Sequence, residues 1–220
     1  MALITKDSGG SGNFEPVPEG THIARCITVV DIGIQQTPWG GKEKVYLGFE
    51  APGVRVEWKD SDGNDHEGPA IIGSRYTNSI NEKAILGQHL VSWRGKQFTD
   101  DERQGFDLFA VLGAPCMLSV THNTKGDRTY ANITGIMRLP QGMTAPETEG
   151  ELIGYTPNDP NMIGNLTKLP EWLQKLCKEG YGAAADSLGQ PGLVTDVAPA
   201  KHMDPPAAPP DQYFDDDIPF

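Results

Sequence analysis

The sequence lacks any long apolar run, and this absence excludes two classes of protein. No stretch approaches the ~18 consecutive apolar residues that a membrane-spanning helix needs. The opening MALITKDSGGSGN also lacks the apolar core of a secretory signal. Cysteines are few, and Cys26, Cys116 and Cys177 are widely spaced with no CxxC pair, which is typical of a reducing compartment. We therefore expect a cytoplasmic protein without membrane contact.

Hydrophobic residues are also scarce, at 37% of the chain. Typical globular domains contain about 45–50% apolar residues when glycine is included in the count. Glycine and proline are abundant instead, with 26 and 18 residues out of 220. This composition favours a loop-rich β domain or a disordered extension over a helix bundle.

Basic residues are outnumbered, but unevenly along the chain. The whole sequence has 18 Lys and Arg against 30 Asp and Glu, a net charge of -12. Residues 1–142 contain 14 basic and 17 acidic side chains, whereas residues 143–220 contain 4 and 13. Most of the acidity therefore belongs to a separable segment, and the charge of the whole chain is a poor guide to what the first part binds.

Patterns that would indicate catalysis or a cofactor are missing. The sequence has no GxSxG and no carboxylate pair that can be assigned to acid and base roles. Gly40-Gly41-Lys42 lacks the rest of a phosphate loop. The acidic residues of 60–65 do not match the glycine and glutamate positions of a calcium loop, and His22 and Cys26 have no third ligand nearby. We expect no enzyme activity, no cofactor and no metal.

The order of predicted elements is β-β-β-α-β-β. Strand patterns cover 22–34, 45–50 and 70–80, and two more cover 116–121 and 129–139. Alternation at 54–59 allows the second strand to continue past Pro52-Gly53. Helical spacing covers 82–93, with Asn81 as the predicted N-cap, and 100–113, with Thr99 as N-cap. This order predicts a mainly β, OB-fold-like five-stranded Greek-key barrel with a helical insert between strands 3 and 4. An SH3-like barrel or a β-sandwich fits the strands but not the insert.

The composition of the chain changes after residue 142. We predict a flexible arm at 1–13, an OB-like domain at 14–142, and an appended segment at 143–181 with one helix at 169–179. Residues 182–210 are rich in proline and alanine and poor in aromatics, so we predict a disordered linker. A tip at 211–220 follows it.

The tip reads DQYFDDDIPF. It resembles the tail of bacterial single-stranded DNA-binding proteins, where the final Phe enters an apolar pocket on partner enzymes and the carboxylates pair with Arg and Lys. The resemblance implies a partner-binding tip made of Asp215, Asp216, Asp217, Ile218, Pro219 and Phe220. Residues 92–113 resemble a motif of small phage- or prophage-encoded proteins grouped with recombination genes, which suggests a viral version in a bacterial host cell.

Binding of single strands without sequence preference needs rings that stack on bases and cations that contact phosphates. Among these rings, Trp39 is the one that we least expect in the core, because it lies in a loop with proline and glycine. The candidate set combines such rings and cations near the predicted binding edges: Trp39, Lys42, Lys44, Tyr46, Arg55, Trp58, Lys59, Arg75, Tyr76, Arg94, Lys96, Lys125, Arg128 and Tyr130.

The sequence therefore predicts a protein that binds single-stranded DNA during replication, recombination or repair and recruits partner enzymes through its tip. Assembly into a homo-oligomer stays open. One alternative is a strand-annealing or recombination-mediator protein. Another is a pure interaction protein that captures host repair enzymes and binds no DNA.

Overall fold

The computed structural model describes residues 16–59, 64–126 and 128–182, without the side chain at position 59. The fold is mainly β. Its strands are β1 Gly20–Thr37, β2 Gly40–Lys59, β3 Asp65–Thr77, β4 Pro115–Lys125, β5 Arg128–Met137 and β6 Ile153–Tyr155. The helices are α1 Ile85–Arg94, α2 Asp100–Gln104, α3 Pro160–Ile163 and α4 Glu171–Tyr181, with 3-10 turns at Leu108–Val111 and Gly164–Lys168. Among the described residues, no helix is long and apolar enough to cross a membrane.

Five strands form a curled antiparallel half-barrel in the order β3-β2-β1-β4-β5. The long strand β1 causes the curl, because its residues 20–25 pair with β4 while residues 25–37 pair with β2. Register shifts near Cys26 and Ile34 bend it further. At the two ends of this order, β3 and β5 come within 8 Å of each other, Cα to Cα.

The main core lies between the inner face of this sheet and α1. Phe49, Leu47 and Leu118 of the strands are fully buried there. Leu90 and Trp93 of α1 pack into the same cluster, and the indole Nε1 of Trp93 donates to the Pro115 carbonyl at 2.7 Å. Helix α1 therefore closes the inner face of the half-barrel.

A second, smaller core covers part of the outer face. Val30, Ile32 and Tyr46 of β1 and β2 pack there against Tyr155 and Leu173 of the C-terminal segment. Helix α4 approaches the bulge of β1 so closely that a side chain at Gly180 would overlap the Ile32 carbonyl. The segment predicted to be appended thus packs on the sheet, and β6 adds a short parallel strand beside β1.

A strap of chain between β5 and β6 is tied to the sheet by two charged residues. Arg25 donates to the carbonyls of Ala145 and Pro146, at 3.2 and 3.0 Å. The carboxylate of Glu50 is fully buried and accepts the backbone N–H of Glu149 and of Gly150, each at 2.8 Å. Because Arg25 and Glu50 are cross-strand neighbours, they fasten the strap at one place on the sheet.

Two of the predicted helix boundaries need correction. Helix α1 begins at Ile85 after Ala84, and Asn81 instead accepts the Lys83 N–H in a preceding turn. Thr99 does cap α2 through a capping box, as predicted. That helix ends at residue 104 rather than 113, because Gly105 has extended backbone and a 3-10 turn follows. The predicted arm, the tip and all but the first residue of the linker lie outside the described residues.

Candidate nucleic-acid interface

The β1–β2 hairpin presents an exposed ring and an exposed cation. Trp39 lies at its turn with 62% of its surface exposed. The Thr37 hydroxyl shapes this turn, because it accepts the Trp39 N–H at 3.3 Å and donates to the Gly40 carbonyl at 2.7 Å. Lys42 follows on β2 and is exposed. A flat apolar ring with a cation nearby is the combination that stacks a base and contacts a phosphate.

Three predicted cations share the outer face of the sheet. Strand alternation places Lys42, Lys44 and Tyr46 opposite the core-facing Val45. Arg75 of β3 lies directly across from Tyr46, so it belongs to the same face. Lys44 and Arg75 are each about half-buried, whereas Lys42 is exposed.

Two of the three predicted tyrosines are buried, which removes them from the stacking set. Tyr46 is covered by α4, where its ring meets the Trp172 ring edge to face at 5.3 Å. Burial raises the pKa of Tyr46 and of Tyr76 well above their ordinary values. Tyr76 points into the main core, with its hydroxyl 3.3 Å from Nδ1 of His89. Neither ring offers a face on which a base could stack.

The β2–β3 hairpin is only partly available. The guanidinium of Arg55 contacts the Glu67 and Glu149 carboxylates at 3.1 and 2.5 Å, and these bonds raise its pKa. Its charge is therefore already compensated, which makes it a poor phosphate ligand. Trp58 is 38% exposed and stacks on His66 at 5.8 Å, with an interplanar angle of 19°. The side chain of Lys59 lies outside the described part of the chain.

Arg94 has a structural role that the sequence did not reveal. Its guanidinium lies over the rings of Phe98 and Phe106, at 4.5 and 4.9 Å, and pairs with Glu102. The Thr99 backbone N–H donates to the Glu102 carboxylate and is the main cause that lowers the pKa of Glu102. The Arg94 guanidinium lowers the same pKa further. Lys96 lies 3.9 Å from the same carboxylate but stays exposed. Arg94 thus fastens the link between α1 and α2 and leaves the predicted binding set.

The β4–β5 hairpin supplies a further group of predicted residues. Lys125 and Arg128 are cross-strand neighbours beside the turn, and both are exposed. Tyr130 is half-buried, opposite Asn123. This hairpin again combines a ring with cations, although residue 127 at its turn is outside the described residues.

One aromatic residue was missed as a surface group. Helical spacing in the sequence places Trp172 on one face with Leu169, Leu173 and Leu176, which favours a buried ring. Leu169 and Leu173 are buried, but Trp172 remains 42% exposed at the border of that face, against Tyr46. Its position at the edge of the apolar stripe was the only signal in the sequence.

The described residues contain no group of three or more His, Cys, Asp or Glu that could hold a metal ion. The tip residues 215–220 lie outside this part of the chain. Neither a protein-family model nor a curated protein sequence matches the chain.

Proposed function

We propose that this protein binds single-stranded DNA without sequence preference, through an OB-type barrel. The order β3-β2-β1-β4-β5, with β3 close to β5, supports a five-stranded OB barrel. The position of α1, α2 and the first 3-10 turn between β3 and β4 in the chain supports a helical insert there. The curled sheet and this connectivity support the proposal.

The observation that carries the proposal is the exposed ring of Trp39 in the same hairpin as the exposed Lys42. OB domains bind oligonucleotides at the strand 1–2 and strand 4–5 loops. Trp39 and Lys42 belong to the first hairpin, and Lys125, Arg128 and Tyr130 belong to the second. Base stacking on such a ring contributes about 1–3 kcal/mol per base and tolerates any sequence.

Charge favours single strands over duplex as the ligand. Binding to duplex rests mainly on neutralisation of phosphates by many cations. Residues 1–142 instead have a slight excess of acidic residues, with a net charge of -3. Two predicted cations, Arg55 and Arg94, are paired with carboxylates. Stacking on unpaired bases is the contribution that such a surface can still provide.

The sequence DDDIPF supports the second half of the proposed function, recruitment of replication, recombination or repair enzymes. A short peptide that orders on binding loses conformational entropy. It therefore needs one anchor that buries a large apolar area, together with charge-assisted bonds that orient it. Phe220 is the proposed anchor, and Asp215 to Asp217 are the proposed orienting groups.

The test is fluorescence anisotropy of a labelled oligothymidylate titrated with wild type and with Trp39→Ala. We expect Trp39→Ala to weaken binding by about 1–3 kcal/mol with an unchanged melting temperature. Ile85→Ala is the matched control, because Ile85 is an apolar residue of α1 with 52% exposure, outside the proposed surface. Equal loss in both variants, or no loss in Trp39→Ala, contradicts the assignment.

A pure interaction protein is the second candidate, and the burial of Tyr46 and Tyr76 favours it. With those rings in the core and Arg55 and Arg94 paired, the predicted DNA surface has fewer groups than expected. This candidate predicts that no oligonucleotide binds and that the capture of host enzymes depends on Phe220.

A further inference from the structure

Trp172 lies against the outer face of the sheet with part of its ring open to solvent. Its ring meets the Tyr46 ring at an interplanar angle of 79°, so an edge of one ring contacts a face of the other. Because 42% of Trp172 is exposed, part of its indole surface is within reach of a ligand.

Two glycines of the sheet make room for the ring that positions Trp172. Tyr46 lies across Gly73 of β3, where any Cβ would overlap its hydroxyl and ring. A Cβ at Gly48 would lie 3.1 Å from Cε1 of Tyr46. Tyr46 therefore lies along the sheet toward β3, and its buried ring contacts the ring of Trp172.

Strand register and helix spacing place three cations near Tyr46 or Trp172. Arg75 lies opposite Tyr46, and cross-strand neighbours have Cβ atoms about 4.5–5.5 Å apart. Lys44 is two residues from Tyr46 on the same face of β2, about 7 Å away along the strand. Lys175 follows Trp172 by three residues, which makes the two neighbours on the surface of α4. Its Nζ lies 3.8 Å from the Glu179 carboxylate, a surface ion pair that leaves 76% of the Lys175 side chain exposed. We name Lys44, Arg75, Trp172 and Lys175 the α4 strip.

We propose that Trp172 is a base-stacking residue for single-stranded DNA, contributed by the segment after β5, and that the cations of the α4 strip contact the phosphates. This inference rests on the proposed function and extends its surface beyond the hairpins. The occupant follows from the chemistry of the strip, because an accessible indole flanked by separate cations suits a base followed by its phosphates. The segment 143–182 is then part of the DNA surface as well as of the fold.

The first experiment compares oligothymidylate affinity of the full chain with that of Trp172→Ala, Trp172→Phe and Leu166→Ala. We expect Trp172→Ala to lose about 5- to 150-fold, and Trp172→Phe to recover much of the loss because it keeps a ring. Leu166→Ala is the control for packing of the second core, because Leu166 is buried there and belongs to the 3-10 turn before α4. It should lower the melting temperature and leave affinity unchanged.

The second experiment observes the indole directly. The double substitution Trp39→Phe and Trp58→Phe gives a two-tryptophan variant, which keeps the buried Trp93 and Trp172. We expect its tryptophan emission to be quenched by oligothymidylate. We also expect Lys175→Ala to reduce the slope of log affinity against log salt by about 1, with Lys83→Ala, an exposed lysine before α1, as the unaffected control.

The outcomes separate this inference from the function on which it rests. If wild type binds but Trp172→Ala binds equally well and the two-tryptophan variant is not quenched, the inference is overturned while the proposed function stands. If wild type binds no single strand, both are overturned. A third outcome is that the α4 strip binds a synthetic peptide of residues 211–220 while Trp172→Ala leaves DNA affinity unchanged. The occupant is then an acidic peptide, and the inference is overturned.

Discussion

The buried carboxylate of Glu50 gives the sharpest test of how the strap is fastened. Both of its oxygens accept backbone N–H groups, from Glu149 and Gly150. Glu50→Gln keeps the shape of the side chain but replaces one acceptor with an NH2 donor. One of the two backbone N–H groups then faces a donor and loses its partner.

The expected loss follows from those two bonds. A hydrogen bond to a charged group contributes about 1.5–3 kcal/mol, and an orphaned buried donor costs about 1–3 kcal/mol. The two ranges describe the same lost bond, so we expect Glu50→Gln to lower the free energy of unfolding by about 1–3 kcal/mol. For a domain of this size, that corresponds to a fall in melting temperature of roughly 2–12 °C.

The assay is urea unfolding and thermal melting of wild type, Glu50→Gln and Glu57→Gln at neutral pH. Glu57 is the matched control, since it lies on the same strand with an exposed side chain. Hydrogen exchange should show faster exchange of the amides of residues 149 and 150 in Glu50→Gln alone. An unchanged unfolding free energy in Glu50→Gln would refute the reasoning, because the carboxylate would then contribute no more than a neutral amide.

Three further predictions follow from the described contacts and the sequence. Tyr76→Ala should destabilise the fold by about 3–5 kcal/mol, because it empties a core site, and calorimetry will check this; an unchanged melting temperature would place Tyr76 outside the core. Burial lowers the pKa of His89 below its ordinary 6.5, so the unfolded chain binds more protons below that pH. Stability should then fall as the pH drops below 6.5, and less steeply in His89→Gln; parallel pH profiles of the melting temperature would contradict this. Deleting residues 211–220 should preserve or raise single-strand affinity at low salt, since a tethered anion competes with phosphate, and Phe220→Ala should abolish partner capture from host lysate; an unchanged partner set would reduce the tip to a solubilising tail.

The local features of the fold were predictable because they depend on neighbouring residues. Alternation of apolar and polar residues predicted where the main strands lie along the chain. The N-cap at Thr99 was also predictable, and it forms a capping box with Glu102. The predicted cap at Asn81 was wrong because an asparagine can also close a turn, which is its role before α1. Strand β6 has three residues, too few for an alternating pattern to show.

The site was harder to predict because long-range contacts decide which side chains are exposed. Alternation correctly places Tyr46 on the outer face, opposite Val45, but nothing near it in sequence indicates that α4 covers that face. Arg55 likewise pairs with Glu149, 94 residues away, which no local pattern could reveal. The exposure of Trp39 was predictable for the opposite reason, because a local pattern, a hairpin turn with proline and glycine, decides it.

The measurement that tests the account most directly compares oligothymidylate with a duplex of equal length, titrated with the full chain at several salt concentrations. The account predicts clear binding of the single strand, weakening as salt rises, and little binding of the duplex at moderate salt. Equal affinity for the two forms, or no binding of either, would contradict the claim that this protein acts on single-stranded DNA.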